Sequence, residues 1–93
     1  MTTDRTPENR DAVLDFLESE LGTSIRIHDT GSLEGIYFVA DQLGGIRLQI
    51  GENVLADYET DDLKERLQRD RVVESLKSGQ SVSVVTDSTA VVP

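Results

Sequence analysis

The apolar positions along the chain fall into two periods. Between Thr6 and Gly22 the spacing is helical: Val13, Leu14, Leu17 and Leu21 make one stripe, with Ala12 and Phe16 at its edge. Glu8, Asp11, Asp15 and Glu18 lie opposite. Thr6 before Pro7 is a helix-start signal, because proline lacks an N–H that would go unpaired in the first turn. Asn9 occupies the third helical position, so the strict capping box is absent. Gly22 suits a left-handed cap. The pattern predicts a first helix over residues 7–21.

The period then becomes two. Ile25 and Ile27 alternate with Arg26 and His28, and residues 35–40 are apolar throughout, as a central strand is. Ile46, Leu48 and Ile50 alternate with Arg47 and Gln49, the cleanest strand signal in the chain. Asp29 to Ser32 and Asp41 to Gly45 supply the turns between them. Val54 to Tyr58 reads as a weaker fourth strand. The short connections predict an antiparallel meander, because a parallel crossover needs about a dozen residues or more.

Residues 60–78 begin as one helix and then change phase. Leu63 and Leu67 share a face, whereas Val72, Val73 and Leu76 sit roughly 140–260° further round at about 100° per residue. A break near Asp70 is expected, with Asp70 capping a short last helix over 71–78 that Gly79 closes. The rival is a continuous helix touching the sheet on one side and a partner on the other. Val82 and Val84 alternate with Ser81 and Ser83 in a final strand, and residues 90–93 read as a ragged apolar tail or a short edge strand.

These elements assemble into an α+β two-layer sandwich. A mainly antiparallel sheet of four to five strands is covered on one face by the N-terminal helix and a C-terminal helical segment, in the order α-β-β-β-β-α-(α)-β. The expected organisation is a disordered tail over 1–6, one domain over 7–87, and a tail or edge strand over 88–93. Strict alternation in the third strand leaves its other face to water or to a partner.

Composition narrows the chemistry. A chain of 93 residues fits one domain. The absence of cysteine excludes disulfides, zinc–thiolate sites and iron–sulfur clusters. No apolar run approaches the length of a membrane span, and the start MTTDRTPENRD lacks the order of a secretory signal. A cytoplasmic location fits. Asp and Glu number 18 against 9 Lys and Arg, for a net charge of -9. High acid with little lysine resembles, in composition only, proteins of salt-loving cells, where concentrated salt screens the self-repulsion.

The charge is uneven. Residues 1–60 carry twelve acids against four bases, while residues 61–77 carry five of each. Asp62 with Arg66, and Glu65 with Arg69, have the favourable acid-before-base spacing of a helix surface. Beyond helix support, Arg66, Arg69 and Arg71 form a candidate docking patch for the acidic face of another copy or another protein. Tyr37 joins them, since only one of Tyr37 and Phe38 can face the helices and the other leaves apolar area outside. Pairing of two copies through that face is therefore expected.

No catalytic or cofactor motif emerges. His28 is the only histidine, and its neighbour Asp29 points to the opposite face of a strand, which makes it a poor orienting partner for the ring. A metal site would have to be mainly carboxylate, suited to calcium or magnesium; Asp57, Glu59, Asp61 and Asp62 cluster, but Thr60 to Asp62 is also a helix start. Gly44-Gly45 lacks the helix and Lys-Ser or Lys-Thr end of a phosphate loop. Neighbouring Tyr37 and Phe38 do not interleave as bases require, and the net charge opposes a phosphate backbone. The leading expectation is a non-enzymatic protein-interaction or regulatory domain. The alternative is a ligand-binding or enzymatic domain with a pocket between sheet and helices, using His28, Asp57 or Tyr58.

Overall fold

The computed structural model describes residues 4–92. Of the tail expected over residues 1–6, residues 1–3 lie outside the described residues, as does Pro93. Residues 4–6 are engaged: Asp4 Oδ1 accepts the Thr6 N–H at 2.9 Å, and the Arg5 N–H donates to Ala56 C=O at 3.3 Å.

Helix α1 (Thr6–Leu21) leads, closed by Gly22 in the left-handed region. Strands β1 (Arg26–Asp29), β2 (Ile36–Ala40) and β3 (Ile46–Ile50) follow, the last two joined by a 3-10 turn over Asp41–Leu43. Helices α2 (Glu52–Asp57), α3 (Thr60–Arg69) and α4 (Val72–Lys77) come next, then β4 (Ser81–Val84) and β5 (Thr89–Val92). The sheet order is β1-β2-β3-β4-β5. All pairings are antiparallel except β3 with β4. The α+β class and its helical layer are those the sequence predicts, and the C-terminal segment is an edge strand.

One element differs. Val54 to Tyr58 is not a strand, and its first residues belong to α2. As a strand it would send Val54 and Leu55 to opposite faces and leave one of them in water. As a helical turn it buries both, at 1% and 0% exposure. Gly51 donates its N–H to Val84 C=O at 2.9 Å, and its own C=O accepts the Leu55 N–H at 3.2 Å. The same residue thus ends the sheet and starts the helix. The crossover over residues 51–80 then makes β3 and β4 parallel, which short turns could not do.

The break in the C-terminal helical region falls at Asp70 and Arg71. Asp70 does not cap α4, which has no side-chain cap; Arg71 stands there with φ 56 and ψ 41. A non-glycine residue in that region is strained, but it lets Leu63 and Leu67 of α3 and Val72 and Leu76 of α4 enter one core. That core continues through Val13 and Leu17 of α1 and Phe38, Leu48, Ile50, Val82 and Val84 of the sheet. Gly35 makes the tightest approach: a Cβ there would lie 1.9 Å from Ile50 O, and its φ is +81. Only glycine fits.

Asn9 fixes the first helix to the crossover. It lies in phase with Val13 and Leu17 and is fully buried. Its Nδ2 donates to Leu55 C=O at 2.7 Å and to Tyr58 C=O at 2.8 Å, and its Oδ1 accepts from the Thr60 hydroxyl at 2.8 Å. These carbonyls stand where α2 ends and α3 begins. Asn9→Ala strands them, which costs about 1–3 kcal/mol per buried group left unpaired. Urea unfolding is expected to show a loss of about 3 kcal/mol with an unchanged m-value. A loss below about 0.5 kcal/mol would remove Asn9 from this role.

Candidate interaction surface

The helices cover one face of the sheet, filled by Ile36, Phe38, Leu48, Ile50, Val82 and Val84. The register fixes what the other face carries, because residues directly opposite share a side. One row runs His28, Tyr37, Gln49, Ser83, Ala90. Beside it a second row runs Arg26, Val39, Arg47, Ser81 and Val92, with the Arg47 N–H donating to Ser81 Oγ at 3.1 Å. None of these residues is acidic, although acids outnumber bases two to one in the chain.

The groups on this outer face touch one another. The Arg47 guanidinium lies 4.8 Å from the centre of the Tyr37 ring, a cation–π geometry. His28 stacks with the same ring at 6.1 Å between centroids and 20° between planes. The Ser83 hydroxyl donates to Gln49 Oε1 at 3.1 Å. Arg26 grips Asp41 with two bonds, at 2.9 and 3.2 Å, and the contact holds the Asp41 carboxyl below the usual carboxylate range. Arg47 makes no ion pair among the described residues. Val39 is only 8% exposed without any helix over it, flanked across the strands by Arg26 and Arg47, whose aliphatic stems can cover it. A shallow hollow of about 280 Å³ opens between Tyr37, Arg47, Gln49, Ser83 and Val92.

The four residues singled out from the sequence separate. Tyr37 is on the outer face, half-buried, as expected. Arg69 and Arg71 are exposed, at the last residue of α3 and in the break before α4. Arg66 is not a surface residue: it is 6% exposed, in phase with Leu63 and Leu67. Its Nη2 donates to Val85 C=O at 2.6 Å and Ser88 C=O at 3.0 Å, and its Nη1 to the Tyr58 hydroxyl at 3.0 Å. Nε faces Asp70 Oδ2 at 3.5 Å. The guanidinium therefore ties α3 to the turn between β4 and β5. Neither Asp62–Arg66 nor Glu65–Arg69 pairs among the described residues, because Asp70 attracts both arginines instead. The groove of about 410 Å³ around Arg66, Asp70 and Ser88 is thus lined by a cation already engaged.

His28, Asp57 and Tyr58 do not converge. His28 is on the outer face, Asp57 is exposed, and Tyr58 lies under the Arg66 guanidinium at 5.5 Å. Phe38, Leu48, Leu63, Leu67 and Val72 fill the space between sheet and helices where a pocket was the alternative. Among the described residues, no group of three His, Asp or Glu is placed to hold a metal ion, and no helix is long and apolar enough to cross a membrane. Alternation in β3 marks the outer face as open to water or a partner; Arg26 and His28 reach it from β1 and Arg47 from β3, so no linear motif announces them together.

Asp70 carries a pH signature. The Thr89 hydroxyl donates to its Oδ2 at 2.6 Å and, with Arg69 and Arg66 nearby, holds its carboxyl below the usual range; burial pushes the other way. A depressed folded-state pKa gives stability that is present above the unfolded value of about 3.9 and is lost as pH falls through the folded value. The Tm gap between the parent and Asp70→Asn is expected to narrow below about pH 4. A gap constant from pH 7 to 2 would contradict the assignment. Arg66→Lys, which loses the planar fork, is expected to cost about 2–3 kcal/mol by urea unfolding.

Comparison with protein-family models, with curated proteins and with solved structures returned no match, so what the chain does is read from its own geometry.

Proposed function

We propose that the protein is a non-enzymatic protein-interaction domain of a salt-adapted cytoplasm, with the open sheet face as its recognition surface. One observation carries the reading: on a chain of net charge -9, the uncovered face of five strands has no acidic strand residue, and the carboxylate at its rim, Asp41, is already paired with Arg26. Arg47 supplies the cation, stacked on Tyr37, and Gln49, Ser81 and Ser83 supply hydrogen-bonding groups. The partner that fits presents carboxylates. In about 1 M salt the screening length is about 3 Å, so such a partner is held by direct contact rather than by long-range steering. Bidentate arginine–carboxylate bonds meet that requirement.

The test is an amide chemical-shift titration with hexaglutamate in about 1 M KCl. Shifts are expected at Tyr37, Arg47, Gln49 and Ser83, and Arg47→Ala is expected to abolish them. Shifts confined to α3 and α4, or none, would overturn the reading. Shifts with an oligothymidylate but not with hexaglutamate would replace the protein partner by a single-stranded nucleic acid.

Salt adaptation has its own readout. The acid-rich surface of residues 1–60 repels itself at low ionic strength. Raising KCl from about 0.05 M to about 2 M is expected to raise Tm by about 5 °C or more. A flat or falling Tm would leave an ordinary acidic protein.

A further inference from the structure

The two edges of the sheet differ. The β1 edge carries Arg26 and Asp29, charged groups of the kind that keep edges from pairing. The β5 edge, Thr89-Ala90-Val91-Val92, carries none, and Val91 and Val92 are 46% and 47% exposed. On a chain of net charge -9 that is an unusual stretch to leave open.

The backbone shows which groups face outward. Val85 N–H donates to Ser88 C=O at 2.9 Å across the β4–β5 turn. Bonded and non-bonded pairs alternate along an antiparallel ladder. Ser83 with Ala90 and Ser81 with Val92 are therefore the bonded pairs, and Thr89 and Val91 turn their N–H and C=O groups to the open edge.

We infer that β5 pairs with β5 of a second copy, antiparallel about a two-fold axis through Ala90. In that register Thr89 of each copy meets Val91 of the other, and each such pair exchanges both hydrogen bonds. The outward groups of Thr89 and Val91 are then all satisfied. The residue at the axis sits in a non-bonded pair, where Cα atoms approach to about 4.5 Å. Ala90 is small enough for that approach. The paired strands themselves carry no charged side chain, and the Asp70 carboxylate beside Thr89 is already engaged by the Thr89 hydroxyl and by Arg66 and Arg69. Because the axis is perpendicular to the sheet, both outer faces point the same way and join into one surface. Two short strands bury much less than the ~1,600 Å² of a standard interface. The dimer is accordingly weak, with a dissociation constant on the order of 10–100 μM, and it tightens as salt screens the net charges.

The pairing gives the interaction domain a partner in itself, and it stands or falls separately from docking at Arg47. Sedimentation equilibrium at several hundred micromolar in about 2 M KCl is expected to give nearly twice the 10.3 kDa chain mass, and a lower mass at low salt. Val91→Pro removes an outward N–H without touching the β4 ladder, and Val91→Lys places like charges across the seam. Both are expected to be monomeric with unchanged circular dichroism, while Arg47→Glu remains dimeric. A monomeric parent protein, a dimer that survives both Val91 variants, a dimer that salt dissociates, or one lost with Arg47→Glu would each overturn the inference.

Discussion

The guanidinium of Arg66 holds the last hairpin to the rest of the molecule. Strand β4 has β3 beside it, whereas among the described residues β5 pairs with β4 alone, and Arg66 and Asp70 bond the turn before it and Thr89. A charge at 6% exposure is tolerable only when its donors are occupied. Here carbonyls of Val85 and Ser88, the Tyr58 hydroxyl and the Asp70 carboxylate occupy them. Asn9 does the same work at the other end, with neutral groups. Asn9 and Arg66, the two buried polar residues among the described residues, each join elements that hydrophobic contact alone would leave free to slide.

Much of the framework was legible because it follows from period alone. Strand β3 was read at its observed bounds, and the change of apolar phase at Asp70 marked the break between α3 and α4. Helix α2 was misread because Val54 and Leu55 are adjacent: period cannot say whether neighbouring apolar residues part to two faces or turn into one core. The decision came from β4, which claims Gly51 from thirty-three residues further along the chain. Asn9 and Arg66 were visible in principle. Each falls in phase with the apolar stripe of its helix, Asn9 with Val13 and Leu17, Arg66 with Leu63 and Leu67. A polar residue in phase with a stripe signals either a gap in burial or a buried latch, and the partners that decide between them lie on other elements.

The charge pattern behaved in the same way. The arginine-rich stretch over residues 61–77 is balanced along the chain but not in space, because Arg66 is spent inside. The face whose strand residues include no acid is assembled from all five strands, each contributing alternate residues. Local composition therefore pointed to α3, while the sheet register concentrates the cation, the aromatic ring and the amide on the opposite layer.

The parallel pairing of β3 with β4 also sets an order of events during synthesis. The meander of β1, β2 and β3 is complete once Ile50 has left the ribosome, but its partner for the β3 edge begins only at Ser81. Until then, a strand with Ile46, Leu48 and Ile50 on one side has an unpaired edge, and pairing across so long a separation is slow. During that interval α2, α3 and α4 emerge, and of these α4 is the helix that packs against β3 in the finished fold.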